Sequence, residues 1–196
     1  MANMPNPIPY SSTELRSMLI YESATGTLRW KKRPEVHFAT SSHCKSWNRR
    51  FAGVIAGTRR NGAGKVYIQI GIGRQFFPAH RLAWLLQHDS FDESLEIDHI
   101  NGDGTDNRLA NLRLVSHQDN QKNLARRADN LSGVTGVNWD HAKGKWLVRG
   151  HVSGKQRNLG RFDDFEAAVA ARRRHERENR YHELHGMSRE DKAAAA

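Results

Sequence analysis

The sequence predicts an α+β protein of two small modules, and two stretches of the chain carry that prediction. Residues 60–124 alternate short strand patterns with helical patterns, and residues 133–186 hold three strand patterns followed by one helix. A hydrophobic content of 37% in 196 residues is low for one large core and suits modules joined by polar segments. We place a supporting N-terminal region at 1–59 and the first module at 60–124. A linker at 125–132 leads to the second module at 133–186, and a tail follows at 187–196.

The supporting region is predicted to combine a short helix, a strand and a loop. Residues 11–14 form a capping-box pattern ahead of a helix with Leu15, Met18 and Leu19 on one face, and residues 25–30 predict a turn into a strand. Residues 31–50 are polar and predict an irregular basic loop. His37, His43 and Cys44 lie there, but their spacing matches no familiar set of metal ligands. Within the tail, the run of alanines at 193–196 is predicted to be frayed and without function.

The first module begins with a hairpin and a helix that are expected to support the rest of the module. Residues 66–70 alternate apolar and polar side chains, and residues 75–77 are predicted to return after a glycine turn at 71–73. Pro78 suits the start of a helix because its missing N–H costs little there. The apolar stripe of this helix is predicted on Leu82, Leu85 and Leu86.

The charge of the chain limits the class of its partner. Lys and Arg number 31 against 21 Asp and Glu, a formal net charge of +10, which favours a polyanion because each cation placed near a phosphate releases counterions. A single cysteine, Cys44, excludes an internal disulfide framework and the multi-cysteine zinc sites. The N-terminus has no long apolar run, so we expect no signal peptide and no membrane span.

The residues suited to chemistry begin with Asp98 and His99, at the end of an apolar strand pattern. Aspartate is a hard oxygen ligand suited to Mg²⁺ or Mn²⁺, and histidine, whose pKa is ordinarily near neutrality, can accept a proton from water. Turn residues at 101–104 lead to a returning strand at 111–115. Ser116 is then predicted to cap a helix that carries Asn120 and Asn123.

Other interpretations of these residues are weaker or stay open. A calcium loop that starts at Asp98 requires Glu at its twelfth position, where this chain has Leu109. Residues 106–108 are expected to fix the loop through hydrogen bonds. Arg113 either contacts a phosphate or forms a salt bridge to the loop. His80 and Arg81, at a helix start, either bind a phosphate or pack inside the module.

The whole pattern resembles the HNH nuclease superfamily, with its ββα-metal fold, and in particular the homing endonucleases of phages. Residues 98–99, 106–108 and 111–113, followed by Asn120 and Asn123, carry the resemblance. It implies that Asp98 and Asn120 bind one Mg²⁺ or Mn²⁺ ion per active site. It also implies that His99 is the general base and that Asn111 orients it. Asparagine replaces the last histidine of the superfamily's name, as in the phage homing subgroup, so a zinc site is not expected.

The second module is predicted to pack three strands, at 134–139, 145–152 and 156–159, on a helix capped by Asp163 or Asp164. Alternation turns Trp146, Val148 and Gly150 toward that helix. The glycine and aromatic pattern over 132–137, 144–146 and 159–162 resembles an AP2 DNA-binding domain. For the two modules together, the resemblances imply DNA contacts from Asn138, Lys145, Arg149, His151, Gln156, Asn158, Arg113 and Asn123.

Together the resemblances imply a metal-dependent endonuclease that hydrolyses phosphodiester bonds of double-stranded DNA, of a nicking or homing type and of phage origin. We expect it in the cytoplasm of a phage-infected or lysogenic bacterial host, without an organic cofactor or a membrane partner. One site with one metal cuts one strand, so we expect a monomer that nicks, with a dimer as the alternative. The alternative function is a sequence-specific DNA-binding regulator with an inactive HNH scaffold. An RNA-binding protein is a third interpretation, which the AP2-like sheet disfavours.

Overall fold

The computed structural model describes residues 7–62, 65–127, 129–152 and 154–195. It is 31% helix and 30% strand, so the predicted mixture of helices and strands is confirmed. Contacts divide the chain into two units, residues 1–99 with 103–114 and residues 100–102 with 115–196. This division falls inside the predicted first module, and the boundaries of the two modules stay predictions.

The first unit begins with a capped helix and a hairpin. The Ser11 side chain accepts a hydrogen bond from the Glu14 amide at the start of α1 (Ser12–Met18), and the Glu14 side chain accepts one from the Ser11 amide, so the predicted capping box is confirmed. The prediction that Leu19 lies on this helix is wrong, because its backbone is extended and it begins β1 (Leu19–Glu22), a strand that the sequence did not predict. β1 pairs antiparallel with β2 (Thr27–Trp30).

Residues 31–50 do not form the irregular loop that the sequence predicted. Thr40 caps α2 (Ser41–Phe51), a helix of 11 residues, by accepting a hydrogen bond from the His43 amide. Trp47 of this helix packs against the core and meets Trp30 edge-on, with 5.3 Å between the ring centroids. The prediction was wrong because the composition of this helix is almost wholly polar and gives little sign of a buried face. The aromatic contact that anchors it joins residues far apart in the sequence.

A three-stranded sheet and one helix complete the core of the first unit. The antiparallel strands β3 (Thr58–Gly62), β4 (Lys65–Ile72) and β5 (Gln75–Pro78) lie in that order, which confirms the predicted hairpin and adds a strand to it. α3 (Ala79–His88) starts after Pro78 as predicted. The buried core collects residues from every part of the unit, among them Leu15, Leu19, Leu28, Ile70, Ile72, Phe77, Leu82 and Leu112.

The residues suited to chemistry lie on a two-stranded sheet and the helix that comes after it in sequence. β6 (Glu96–His99) pairs with β7 (Leu112–Val115), so the predicted strand, loop and returning strand are confirmed. In the second unit, Ser116 caps α4 (His117–Gln121) by accepting a hydrogen bond from the Asp119 amide. α4 ends before Asn123, so the prediction that this helix carries Asn123 is wrong.

The second unit contains the predicted sheet of three strands with a helix packed on it. β8 (Val137–Asp140), β9 (Lys145–Val152) and β10 (Lys155–Phe162) are antiparallel with β9 in the centre, and Asp164 caps α5 (Phe165–Glu178). β8 starts later than predicted, because Gly133 and Gly136 turn the chain at positive φ. Val148 and Gly150 are buried, and Trp146 contacts Phe165 of α5, so the predicted inner face is confirmed.

The C-terminal tail contains a helix that the sequence did not predict, and this helix includes the first two residues of the alanine run that was predicted to be frayed. Ser188 caps α6 (Arg189–Ala194) by accepting a hydrogen bond from the Asp191 amide at 3.0 Å. Lys192 of this helix is buried in the second unit. Among the residues that the structure describes, no helix combines the length and the apolar character needed to cross a membrane.

Candidate active site

The end of β6 and the loop that leads into β7 carry buried polar side chains in the first unit. Asp98, His99, Asn107 and Asn111 are between 3% and 6% exposed. Polar groups removed from water to this extent are destabilising unless hydrogen bonds replace the water. The partners of these four side chains therefore define the site.

His99 is held by Asn107, a contact that the sequence did not predict. His99 Nε2 lies 3.1 Å from Asn107 Oδ1, and Asn107 Nδ2 donates to the Thr105 carbonyl at 3.4 Å. Because Nδ2 faces that carbonyl, Oδ1 faces the ring, and His99 Nε2 is the donor. The lone pair of the neutral ring is then on Nδ1, which is the nitrogen that can accept a proton.

The electrostatic surroundings keep the His99 ring neutral. Burial lowers the pKa of His99, and the charge of Lys65 acts in the same direction. The Asn107 hydrogen bond and the carboxylates of Asp98 and Asp103 oppose this effect without reversing it. The ring is therefore unprotonated at pH 7, as a general base must be.

Two further rings lie against His99. His80 meets it edge-on at 4.9 Å between centroids, and Tyr67 lies at 6.1 Å. Burial lowers the pKa of His80 to about 3, so His80 adds no positive charge beside the base. Arg81 is buried over the Phe91 ring at 5.2 Å. Of the two interpretations of His80 and Arg81, the structure shows packing.

Asp98 forms an ion pair with Arg113. Arg113 Nη2 and Nε lie 2.9 and 3.2 Å from Asp98 Oδ2, and the Arg113 side chain is 25% exposed. Arg113 thus forms a salt bridge, one of its two predicted alternatives, but to Asp98 rather than to the loop. The predicted metal ligand carries a guanidinium on one of its oxygens.

Asn111, which was predicted to orient His99, contacts the loop in this structure. Its Nδ2 donates to the Asp106 carbonyl at 2.8 Å. Arg108 binds the Asp106 carboxylate at 2.6 and 2.8 Å, so these side chains fix the loop as expected. The role that the resemblance implies for Asn111 toward His99 stays a prediction, and the path of the loop brings Asn107 to His99 as well.

The N-terminal hairpin supports the same loop. The Tyr21 hydroxyl donates to the Asn107 carbonyl at 2.8 Å, and burial raises the pKa of Tyr21 to about 12. Gly26, at φ +71°, turns against the loop so closely that a Cβ there would lie 2.4 Å from the Arg108 amide nitrogen. The backbone position of Asn107 therefore depends on residues far away in sequence.

The predicted site residues of the second unit have different surroundings. Asn120 is half-buried in α4. Asn123 is 6% exposed, and its Nδ2 donates to the Ile100 carbonyl at 3.2 Å while its Oδ1 accepts from Lys192 at 2.8 Å. The side chain predicted to contact DNA at this position is engaged inside its own unit.

The remaining predicted DNA contacts share the face of the sheet that points away from α5. Arg149 lies opposite Asn158, and His151 lies opposite Gln156, so each pair projects from one face. Asn138 and these four residues are exposed. Lys145, the remaining predicted DNA contact of this module, lies on β9 and forms an ion pair with Asp163 at 3.0 Å.

A cavity of about 550 Å³ in the second unit connects this face with residues of α4. It is lined by Asn138, Arg149, His151 and Gln156, and also by Gln118 and Gln121. Amide and guanidinium groups are the donors and acceptors that proteins use on the edges of nucleobases. The cavity therefore collects four of the predicted DNA contacts in one place.

Comparison with known proteins identifies the class of this site. Residues 77–122, which include α3, β6, β7 and α4, match the HNH endonuclease family. The resemblance of this segment to the HNH nucleases is therefore confirmed. Protein 3.8 of Escherichia phage T7 is 32% identical over 99 residues, which cover 49% of this chain and 82% of that protein. The chain belongs to the family of this phage protein.

One solved structure is also similar to the chain. The HNH homing endonuclease I-HmuI, described with its DNA binding and cleavage, matches with 22% identity and a TM-score of 0.35. The match covers 54% of this chain and 51% of that one, so the chain spans about half the length of that endonuclease.

Proposed function

We propose that this protein is a metal-dependent endonuclease that hydrolyses phosphodiester bonds of double-stranded DNA. The observation that carries the proposal is the neutral His99 ring, held at Nε2 by Asn107 and directly preceded by a buried carboxylate, within an HNH endonuclease domain. The formal net charge of +10 supports a polyanionic substrate.

The side chains of the site fit a hard divalent cation. HNH nucleases are generally metal-dependent. The Asp98 carboxylate is an oxygen ligand of the kind that Mg²⁺ or Mn²⁺ takes, and Asn120 stays the predicted second ligand. Mg²⁺ keeps several waters and needs few protein ligands, so one carboxylate and one amide oxygen can be enough to hold it. When bound, the ion would polarise the scissile phosphate and stabilise the leaving oxygen.

His99 acts as the general base through Nδ1 in this proposal. The neutral ring takes a proton from water, and the hydroxide attacks phosphorus in line with the 3′ oxygen, which leaves and takes a proton from solvent. The products are a 5′-phosphate and a 3′-hydroxyl. Before the proton transfer, Asn107 keeps the ring proton on Nε2. After the transfer, its oxygen accepts a hydrogen bond from the Nε2–H of the imidazolium.

We also propose that the second module reads DNA with the outward face of its sheet, as an AP2-like domain. Its exposed amides and Arg149 support this role, because arginine recognises guanine and amides recognise adenine. The proposed DNA contacts of Arg113 and Asn123 have less support, since both side chains are already bound within the chain.

Incubation with supercoiled plasmid and Mg²⁺ tests the nuclease proposal. We expect wild-type protein to produce nicked circles, and a chelator to stop the reaction. His99→Ala should lose cleavage and keep its affinity for DNA, while His88→Ala, at an exposed end of α3, should cut like the wild type. If His99→Ala cuts as fast as the wild type, His99 is not the base. Linear product in place of nicked circles would point to a dimer.

The Asp98–Arg113 ion pair favours a second candidate, a sequence-specific DNA-binding regulator with an inactive nuclease scaffold. The guanidinium on Asp98 Oδ2 competes with a cation for the same carboxylate. This candidate predicts that DNA is bound but not cut at any ratio of protein to DNA, with Mg²⁺ or with Mn²⁺. The plasmid assay, combined with a gel-shift measurement on the same DNA, separates the two functions.

A further inference from the structure

Lys192, in the C-terminal helix α6, has no exposed surface. Lysine is almost never fully buried unless its ammonium group is paired or hydrogen-bonded, because removing a charge from water costs free energy. Its Nζ donates to the backbone oxygen of Asn123 and, at 2.8 Å, to the side-chain oxygen of the same residue. This is a specific contact of a buried charge and not the behaviour of a solvated tail.

Asn123 extends this contact to the segment beside the proposed base. Its Nδ2 donates to the Ile100 carbonyl at 3.2 Å, and Ile100 directly follows His99 in the chain. The Lys192 side chain also lies along this segment, since a Cβ added at Gly102 would lie 3.7 Å from Lys192 Cδ. Lys192 therefore lies beside Gly102 and is joined to Ile100 through Asn123.

The backbone of Asn123 closes the end of α4. Its amide donates to the carbonyl of Asn120, the predicted second metal ligand, at 3.0 Å. Two segments of the second unit thus meet at Asn123. One is residues 100–102, which follow the proposed base in sequence, and the other is α4, which carries the predicted metal ligand Asn120. Lys192 holds Asn123 through both of its oxygens.

We propose that Lys192 is a positioning residue of the nuclease, and that α6 is needed for DNA cleavage but not for DNA binding. The catalytic part of this inference rests on the proposed function. The helix has its own start signals, since Ser188 caps it and Glu190 and Asp191 lie in its first turn, where carboxylates stabilise a helix. Without the ammonium group, two buried oxygens of Asn123 lose a donor, and residues 100–102 lose a contact that fixes them.

Two variants and one control test this proposal. Lys192→Met removes the donor and keeps a long unbranched side chain. Asn123→Asp keeps both oxygens that accept from Lys192 but removes the donor to the Ile100 carbonyl. It therefore breaks the contact with Ile100 and leaves the contacts that hold α6. Lys45→Met, at an exposed position of α2, is the matched control and should behave like the wild type.

For both test variants we expect kcat for plasmid nicking to fall about 100-fold, the size of effect that a misplacement of about 1 Å produces. KM and the dissociation constant for DNA should not change, because Lys192 is buried and the Asn123 side chain is already bound to Ile100 and Lys192. A loss of DNA affinity at unchanged kcat would overturn the proposal, since Asn123 would then be a DNA contact. Equal kcat values in wild type and both variants would also overturn it.

Hydrogen exchange gives a result that does not depend on cleavage. Lys192→Met should raise amide exchange in residues 100–102 and 120–124 and leave residues 65–78 of the first unit unchanged. Unchanged exchange in residues 100–102 would show that Lys192 does not fix this segment. If the wild type does not cut DNA, the proposed function fails, while exchange still decides whether Lys192 holds the segment.

Discussion

The hydrogen bond between His99 and Asn107 leads to a specific prediction about catalysis. Asn107→Leu keeps the branched shape and the number of heavy atoms in the side chain but removes the oxygen that accepts from His99 Nε2. The ring can then place its proton on Nδ1, and in that tautomer Nδ1 cannot take a proton from water. We expect slower nicking at unchanged affinity for DNA.

The size of this effect depends on burial. His99 and Asn107 are 4% and 3% exposed, so the variant leaves a buried N–H without its acceptor. Such a group costs about 1–3 kcal/mol. Because 1.36 kcal/mol corresponds to a tenfold change in rate, nicking should slow by about 5- to 150-fold if the whole cost falls on the transition state.

Single-turnover nicking of supercoiled plasmid at saturating protein measures this rate without product release. Asn107→Asp should cut faster than Asn107→Leu, because its carboxylate still accepts from Nε2. Gln87→Leu, at an exposed position of α3, controls for the exchange of an amide for an apolar side chain. If Asn107→Leu cuts like the wild type and Asn111→Leu does not, Asn111 orients the base and the Asn107 contact has no catalytic role.

Two further predictions concern stability. Burial lowers the pKa of His185 to about 4, with the charges of Arg172 and Lys192 acting in the same direction. The unfolded state takes up this proton near pH 6.5 and the folded state only near pH 4, so stability is complete above pH 6.5 and falls by about 3 kcal/mol as the pH drops to 4. His185→Gln, which keeps an acceptor for Arg172, should flatten that part of the melting-temperature profile, and an unchanged profile would contradict this account. Gly26→Ala should lower the melting temperature by several degrees and slow nicking, because its Cβ would displace the Arg108 backbone beside Asn107. Gly53→Ala has a similar positive φ but no neighbour within 4 Å, so it should lose less stability and no activity; equal losses in both variants would show that the close contact is unimportant.

Local signals predicted much of the fold. The capping box of α1, Pro78 before α3, Ser116 before α4 and Asp164 before α5 each act within a few residues, and the structure confirms all four. α2 was missed because its composition is polar and its anchor, Trp47 against Trp30, joins two separate segments. α6 was missed because nothing in the composition of a short polar tail shows that its lysine becomes buried.

At the site, the residue types were predictable and their partners were not. Spacing placed a carboxylate and an imidazole next to each other, and residues 77–122 match the expected HNH family. Which asparagine reaches His99 depends on the path of the loop, and the partner of Arg113 depends on how β6 pairs with β7. Neither of these is encoded in a local pattern.

In the proposed mechanism, the flanks of the HNH segment support the reacting groups, although the predicted catalytic and metal-binding residues all lie within residues 77–122. In the first unit, Tyr21 and the turn at Gly26 hold the backbone that presents Asn107 to the base. In the second unit, Lys192 and Asn123 hold the residues that come after the base in sequence. Residues 77–122 alone would keep Asp98, His99 and Asn107 and would lose Tyr21, Gly26 and Lys192. Asp98 and His99, within residues 77–122, thus define the proposed reaction. Contacts from the residues before and after this segment are expected to determine how firmly these groups are held.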